Sequence, residues 1–134
     1  MESDIKVTFP GGKRVDAEYK NFLIKTDQPV DVGGEGSAPS PFDLFLASLA
    51  TCVGYYALSF CQSRDIPTEK ASVVIRTEKN SGTKMIEKVN IELRLPPEFP
   101  DKYQQAVIKS VNQCAVKEHI FKPPAFETKT EIMK

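Results

Sequence analysis

From Leu44 to Cys61 the chain carries no charged residue, and this run limits its folds more than any other feature. A segment this long and apolar must be hidden, either in a bilayer or at the centre of a folded domain. Ser48, Thr51, Gly54, Ser59, Tyr55 and Tyr56 make it a poor lipid-facing surface, so the expectation is a buried core helix and no membrane. Its start is clearly marked: Ser40 can cap, Pro41 suits the first helical position, and Asp43 stands three residues after the cap. The helix can run to about Ser63, roughly 34 Å at about 1.5 Å per residue. Phe45, Leu49, Cys52 and Tyr56 recur at helical spacing, so Cys52 lies on an apolar stripe. At about 100° per residue, Cys61 falls roughly 180° from Cys52 and is read as structural.

The flanking segments read as strands and shorter helices. Ile5, Val7 and Phe9 alternate with polar residues, Pro10-Gly11-Gly12 turns, and Val15, Ala17 and Tyr19 alternate again. A short strand covers Phe22 to Thr26, and Asp27 to Ser40, with three glycines and two prolines, is a loop leading to the helix. Two longer strands, Ala71 to Lys79 and Lys84 to Leu95, flank a turn at Asn80-Ser81-Gly82. A second helix begins near Asp101, with Gln104 in the capping-box position, and delivers Cys114 near its end. Ala115 to Phe121 can form a further helix, stopped by Pro123-Pro124, and a last strand is expected from Phe126 to Ile132. The chain's 134 residues suit one domain over 1–134, burying roughly two thirds of its unfolded surface.

Eighteen basic and eighteen acidic residues cancel, which argues against a nucleic-acid partner. Met1 to Val7 has neither a basic leader nor an apolar signal core, so a cytoplasmic location is expected. In a reducing compartment three cysteines stay free thiols unless they do redox or metal chemistry. The Gly33-Gly34-Glu35-Gly36 loop lacks the Gly-Lys-Ser/Thr of a phosphate loop. His119, the only histidine, completes neither a zinc site nor a serine triad, so no metal and no cofactor are expected. Attention falls on Cys52 and Cys114. A thiol deep in an apolar helix is inert unless the fold brings up groups that favour its thiolate, and a Cys114 at the start of a helix is favoured by the helix dipole.

The order of elements, the glycine loop 33–36, the run Ser40-Pro41-Phe42-Asp43-Leu44 ending at Cys52, and Val111-Asn112-Gln113-Cys114-Ala115-Val116 together resemble the OsmC/Ohr family of peroxide-defence proteins. The resemblance spans nearly the whole chain. It implies an α+β class and an OsmC-like fold, with two antiparallel sheet segments around a long buried central helix, assembled as an intertwined homodimer. It also implies a thiol-dependent peroxidase for organic hydroperoxides, with Cys52 as peroxidatic thiolate and Cys114 as resolving thiol, a disulfide between them, and a dithiol reductant, a role that lipoylated proteins fill in relatives. Its catalytic arginine maps best onto Arg14, with Lys13 as the neighbouring cation. Phe42, Phe45 and Leu49 offer apolar surface to the substrate's hydrocarbon part.

One position departs from the family pattern: Phe42 stands where the motif has a glutamate that pairs with the arginine. Two other functions therefore stay open. One is a noncatalytic protein of this fold binding a small apolar ligand at the dimer interface, and the other is a disulfide-exchange redox sensor.

Overall fold

The computed structural model describes residues 4–134; Met1, Glu2 and Ser3, part of the segment read for a targeting signal, lie outside the described residues. The chain divides into two compact units, Met1–Ser48 and Leu49–Lys134.

In the first unit, β1 (Lys6–Gly11), β2 (Arg14–Tyr19) and β3 (Phe22–Thr26) form an antiparallel meander. Val7 faces Ala17 and Ala17 faces Ile24, with an irregularity in the first ladder between Thr8 and Gly11. The β2–β3 turn places both Lys20 (φ 49°) and Asn21 (φ 66°) in the left-handed region, the twist that a two-residue hairpin favours. After β3 the chain is pinned by Asp27, whose carboxylate accepts hydrogen bonds from the Gln28, Glu35 and Ser37 amides and from Ser37 Oγ. Gly34 is required by close approach: a Cβ there would lie 1.9 Å from the Gln28 carbonyl oxygen.

The expected capping box forms as read. Asp43 N–H donates to Ser40 Oγ at 3.1 Å, and Ser40 N–H donates to Asp43 Oδ2 at 3.0 Å. It opens α1, Pro41–Gln62. By length and composition α1 could cross a bilayer, yet from Leu49 onward it supplies Leu49, Val53, Phe60 and Cys61 to the core of the second unit. Much of the rest is open to solvent, Tyr55 and Leu58 among it, so the helix is buried along a stripe and not all round.

In the second unit, β4 (Ser72–Lys79) and β5 (Ile86–Arg94) pair antiparallel, with Val73 opposite Leu93 and Ile75 opposite Ile91. Their turn is held by Asn80 Oδ1, which accepts from the Gly82 and Thr83 amides. The alternating apolar face of this hairpin packs against the buried α1 residues. A single 3-10 turn at Asp101–Tyr103 precedes α2 (Gln104–Val111), which buries Val107 and Val111. Gln104 bonds the Asp101 carboxylate with its side chain and does not close the expected capping box. Next comes α3, Ala115–Phe121.

The strand expected from Phe126 to Ile132 is not formed, and residues 123–134 have no regular structure. A strand exists only when a neighbour takes up its backbone groups, and among the described residues no strand pairs with this segment.

Candidate active site

Cys52 lies in α1 one turn after Leu49, which is 4% exposed, and next to the fully buried Val53. Its own exposure is intermediate, so it sits at the edge of the core. Cys114 is fully buried and occupies the N-cap position of α3, with an extended backbone (φ −57°, ψ 133°). The chain reaches it through the turn that ends α2, where Cys114 N–H points at the Val111 carbonyl. Its own carbonyl accepts the first bond of α3, from Glu118 N–H at 3.0 Å.

This arrangement packs Cys52 against the buried cluster that holds Cys114, so two thiols from sequence-distant elements act on each other's ionisation. Burial pushes the Cys52 thiol up. The Val116 amide, the Cys114 thiol and the Ala115 amide together outweigh burial, and the net direction is below the ordinary cysteine value. Cys114 is pushed up, first by burial and then by its donation to Cys52; the Lys117 and Val116 amides offset this only in part, and Cys114 makes no side-chain cap bond. The pair therefore keeps one proton on Cys114 and leaves Cys52 as the more readily formed thiolate. Cys61 is buried, unpaired and pushed up by desolvation, which the Arg64 charge partly opposes.

A cavity of about 240 Å³ is lined by Leu49, Val89, Ile91, Lys117, Ile120 and Phe121. It neighbours the thiols through two short links: Leu49 precedes Cys52 by one helical turn, and Lys117 follows the Ala115 and Val116 amides that face the Cys52 sulfur. Lys117 Nζ donates to Asn112 Oδ1 at 2.7 Å. A larger cavity, about 490 Å³, has Gly54, Ala57, Cys61, Val73 and Leu93 in its wall; neither Cys52 nor Cys114 lines it, so it is set aside as the reaction site.

The remaining candidate residues lie in the first unit. Phe42 and Phe45 pack on each other with ring centroids 5.5 Å apart, and both stay substantially exposed. Arg14 begins β2, and its Nη2 lies 3.6 Å from Asp16 Oδ2. Asp16, which alternates with the apolar Val15 and Ala17, is nonetheless 6% exposed, and its Oδ1 has no partner among the described residues. The available signal was spacing, since residues two apart on a strand share a face and this acid stands two after an arginine. Asp27 was also missed: it is 1% exposed, and its hydrogen bonds, led by those from Ser37, hold its carboxyl down at about 2. Among the described residues no group of three or more His, Cys, Asp or Glu could hold a metal ion. His119 Nδ1 lies 2.7 Å from the Ala115 carbonyl oxygen of its own helix.

Two small antiparallel sheets, a long helix carrying Cys52 and Cys61, and a short helix that begins at Cys114 define an α+β protein. The family model for OsmC-like protein matches residues 34–129, and the chain belongs to that family. Among solved structures it is similar to a protein of Psychrobacter arcticus 273-4 provisionally assigned to the osmotic stress and detoxification response, at 28% identity, TM-score 0.72 and 85% coverage of each chain. It is also similar to an OsmC-like protein of Mycoplasma pneumoniae, at 16% identity and TM-score 0.71, covering 92% of this chain and 89% of that one. A third likeness is to the organic hydroperoxide resistance protein OsmC of Legionella pneumophila, at 18% identity and TM-score 0.59, covering 90% and 89%. The last two likenesses concern the fold alone. Comparison with curated proteins gave no match.

Proposed function

We propose that this chain is a thiol-dependent peroxidase that reduces organic hydroperoxides in oxidative-stress defence, working as a cytoplasmic homodimer. The observation that carries the reading is the contact between Cys52 and Cys114, polarised so that one sulfur is the better anion and the other the better proton donor. In the first step the Cys52 thiolate attacks a peroxide oxygen of R–O–OH. An S–O bond forms, the O–O bond breaks, and the departing alkoxide takes a proton to leave as the alcohol. The resulting sulfenic acid condenses with Cys114, releasing water and forming a disulfide. An external dithiol, such as a lipoylated protein, then returns both thiols by exchange.

The slot lined by Leu49, Ile91 and Phe121 suits the hydrocarbon part of such a substrate, and Phe42 and Phe45 add exposed apolar surface. Arg14 is assigned the cation that supports the thiolate, with Asp16 holding its guanidinium in place of the motif glutamate that Phe42 replaces. The same slot and the loss of that glutamate favour a second reading, in which the protein binds a small apolar ligand without turnover.

The experiment is steady-state consumption of cumene hydroperoxide and of hydrogen peroxide with dihydrolipoamide as reductant. Wild type should prefer the organic peroxide, Cys52→Ser should lose turnover, and Arg14→Ala should be slower at neutral pH. No turnover of either peroxide, together with saturable binding of an apolar probe, replaces the peroxidase with the binding protein.

A further inference from the structure

The Cys52–Cys114 contact has a second chemical use, fixed by the number and kind of ligands it offers. The two sulfurs are held by helices, one in the interior of α1 and one capping α3, so their spacing does not depend on a mobile loop. Among the described residues they belong to no larger group of metal-ligating side chains. A Zn²⁺ site takes four ligands, which this pair cannot supply. A soft two-coordinate ion such as Cu⁺ could use two thiolates. Both protons must then leave, and the negative complex would sit against the apolar side chains of Val53, Val107 and Val111, which share the buried cluster with Cys114. Burial of Cys114 opposes that second ionisation.

A trivalent arsenic centre carrying one organic group meets each condition. It bonds two thiols at once, needs no further ligand from the protein, and leaves a neutral product. We infer that Cys52 and Cys114 form a capture site for monosubstituted trivalent arsenicals, R–As(OH)₂, which bridge the two sulfurs and block their thiol chemistry. Two As–O bonds break and two As–S bonds form. Each thiol proton leaves with a hydroxide as water, and arsenic stays trivalent, so neither oxidant nor reductant is consumed. Entry is through Cys52, the more exposed of the two sulfurs. The inference rests on the packing of Cys52 against the buried cluster that holds Cys114 and stands or falls independently of peroxide turnover.

The test uses the full-length reduced chain and phenylarsine oxide, followed by intact mass and thiol titration. One adduct per chain is expected, with the three free thiols falling to one. Glutathione should strip the adduct at least about 100-fold more slowly than it strips a one-thiol adduct, because the second sulfur remains tethered at high effective concentration. A small dithiol should release it readily. Cys61→Ser should behave as wild type, while Cys52→Ser and Cys114→Ser should each lose the resistance to glutathione. Wild type carboxamidomethylated at Cys52 alone, as checked by peptide mapping, must lose it too, which covers the case of a variant that does not fold. Retention of resistance in Cys114→Ser, an adduct that depends on Cys61, or a wild-type adduct as labile as the one-thiol adduct overturns the site. Stoichiometric capture of Cu⁺ from a bicinchoninate complex by wild type that ignores the arsenical overturns the choice of ligand.

Discussion

At the scale of single residues, the site depends on which sulfur keeps the proton. Cys52 and Cys114 are the same side chain in contact, yet burial dominates at Cys114 while two amides and a donated S–H overcome it at Cys52. Alkylation of Cys52 by iodoacetamide, followed by peptide mapping across pH, should therefore show a midpoint below the ordinary thiol value of about 8.5. Cys114→Ala removes the donor and should move that midpoint up, whereas Cys114→Ser, which still donates, should move it less. An unmoved midpoint in Cys114→Ala means that the thiol contact does not support the thiolate. Asp27 makes a separate prediction. Its folded value of about 2 lies below the ordinary 3.8, so its contribution to stability is present above about 3.8 and is lost as pH falls from there towards 2. Asp27→Asn should be less stable than wild type at neutral pH, with a flatter acid limb in urea unfolding over that window. Identical acid limbs would deny the carboxylate this role. Neither Asp27 nor the burial of Asp16 was legible in the sequence, since both depend on which loop or strand comes to cover a carboxylate.

At the scale of elements, local chemistry was most legible where it is self-contained. The start of α1 was readable because a capping box uses four consecutive residues, and the first five strands and the helices that flank Cys114 followed from periodicity and turn residues. Ser40→Ala should cost about 1 kcal/mol of stability by removing the hydroxyl that accepts from Asp43 N–H, measurable by urea unfolding; no loss would mean that the rest of the helix holds its first turn without the cap. In the loop before it, Gly34→Ala puts a methyl group where the Gln28 carbonyl already lies, and should lower Tm well beyond the Ser40 variant. An unchanged Tm would show that the loop has room to move. The strand expected at 126–132 failed for the opposite reason. Its alternation, with Glu127, Lys129 and Glu131 between Phe126 and Ile132, describes a two-faced ribbon, but no pattern within a segment supplies the neighbour that makes a ribbon a strand.

At the scale of the whole molecule, a single copy leaves much apolar surface open, including Phe9 at 81%, Phe22 at 68% and Phe121 at 73% exposed. The proposed homodimer would cover such side chains together with the open part of α1. Light scattering at micromolar concentration should give twice the chain mass, and a stable folded monomer would contradict the assembly. The likeness to the OsmC/Ohr pattern was legible along most of the chain because the order of elements, the glycine loop and the two cysteine motifs carry it. The central claim is that peroxide drives Cys52 and Cys114 into one bond. The most direct measurement is peptide mapping of the reduced protein after one equivalent of cumene hydroperoxide. A bridge between Cys52 and Cys114 within one chain, with Cys61 still alkylatable, is the predicted result; a dominant bridge through Cys61, or three thiols left intact, would contradict it.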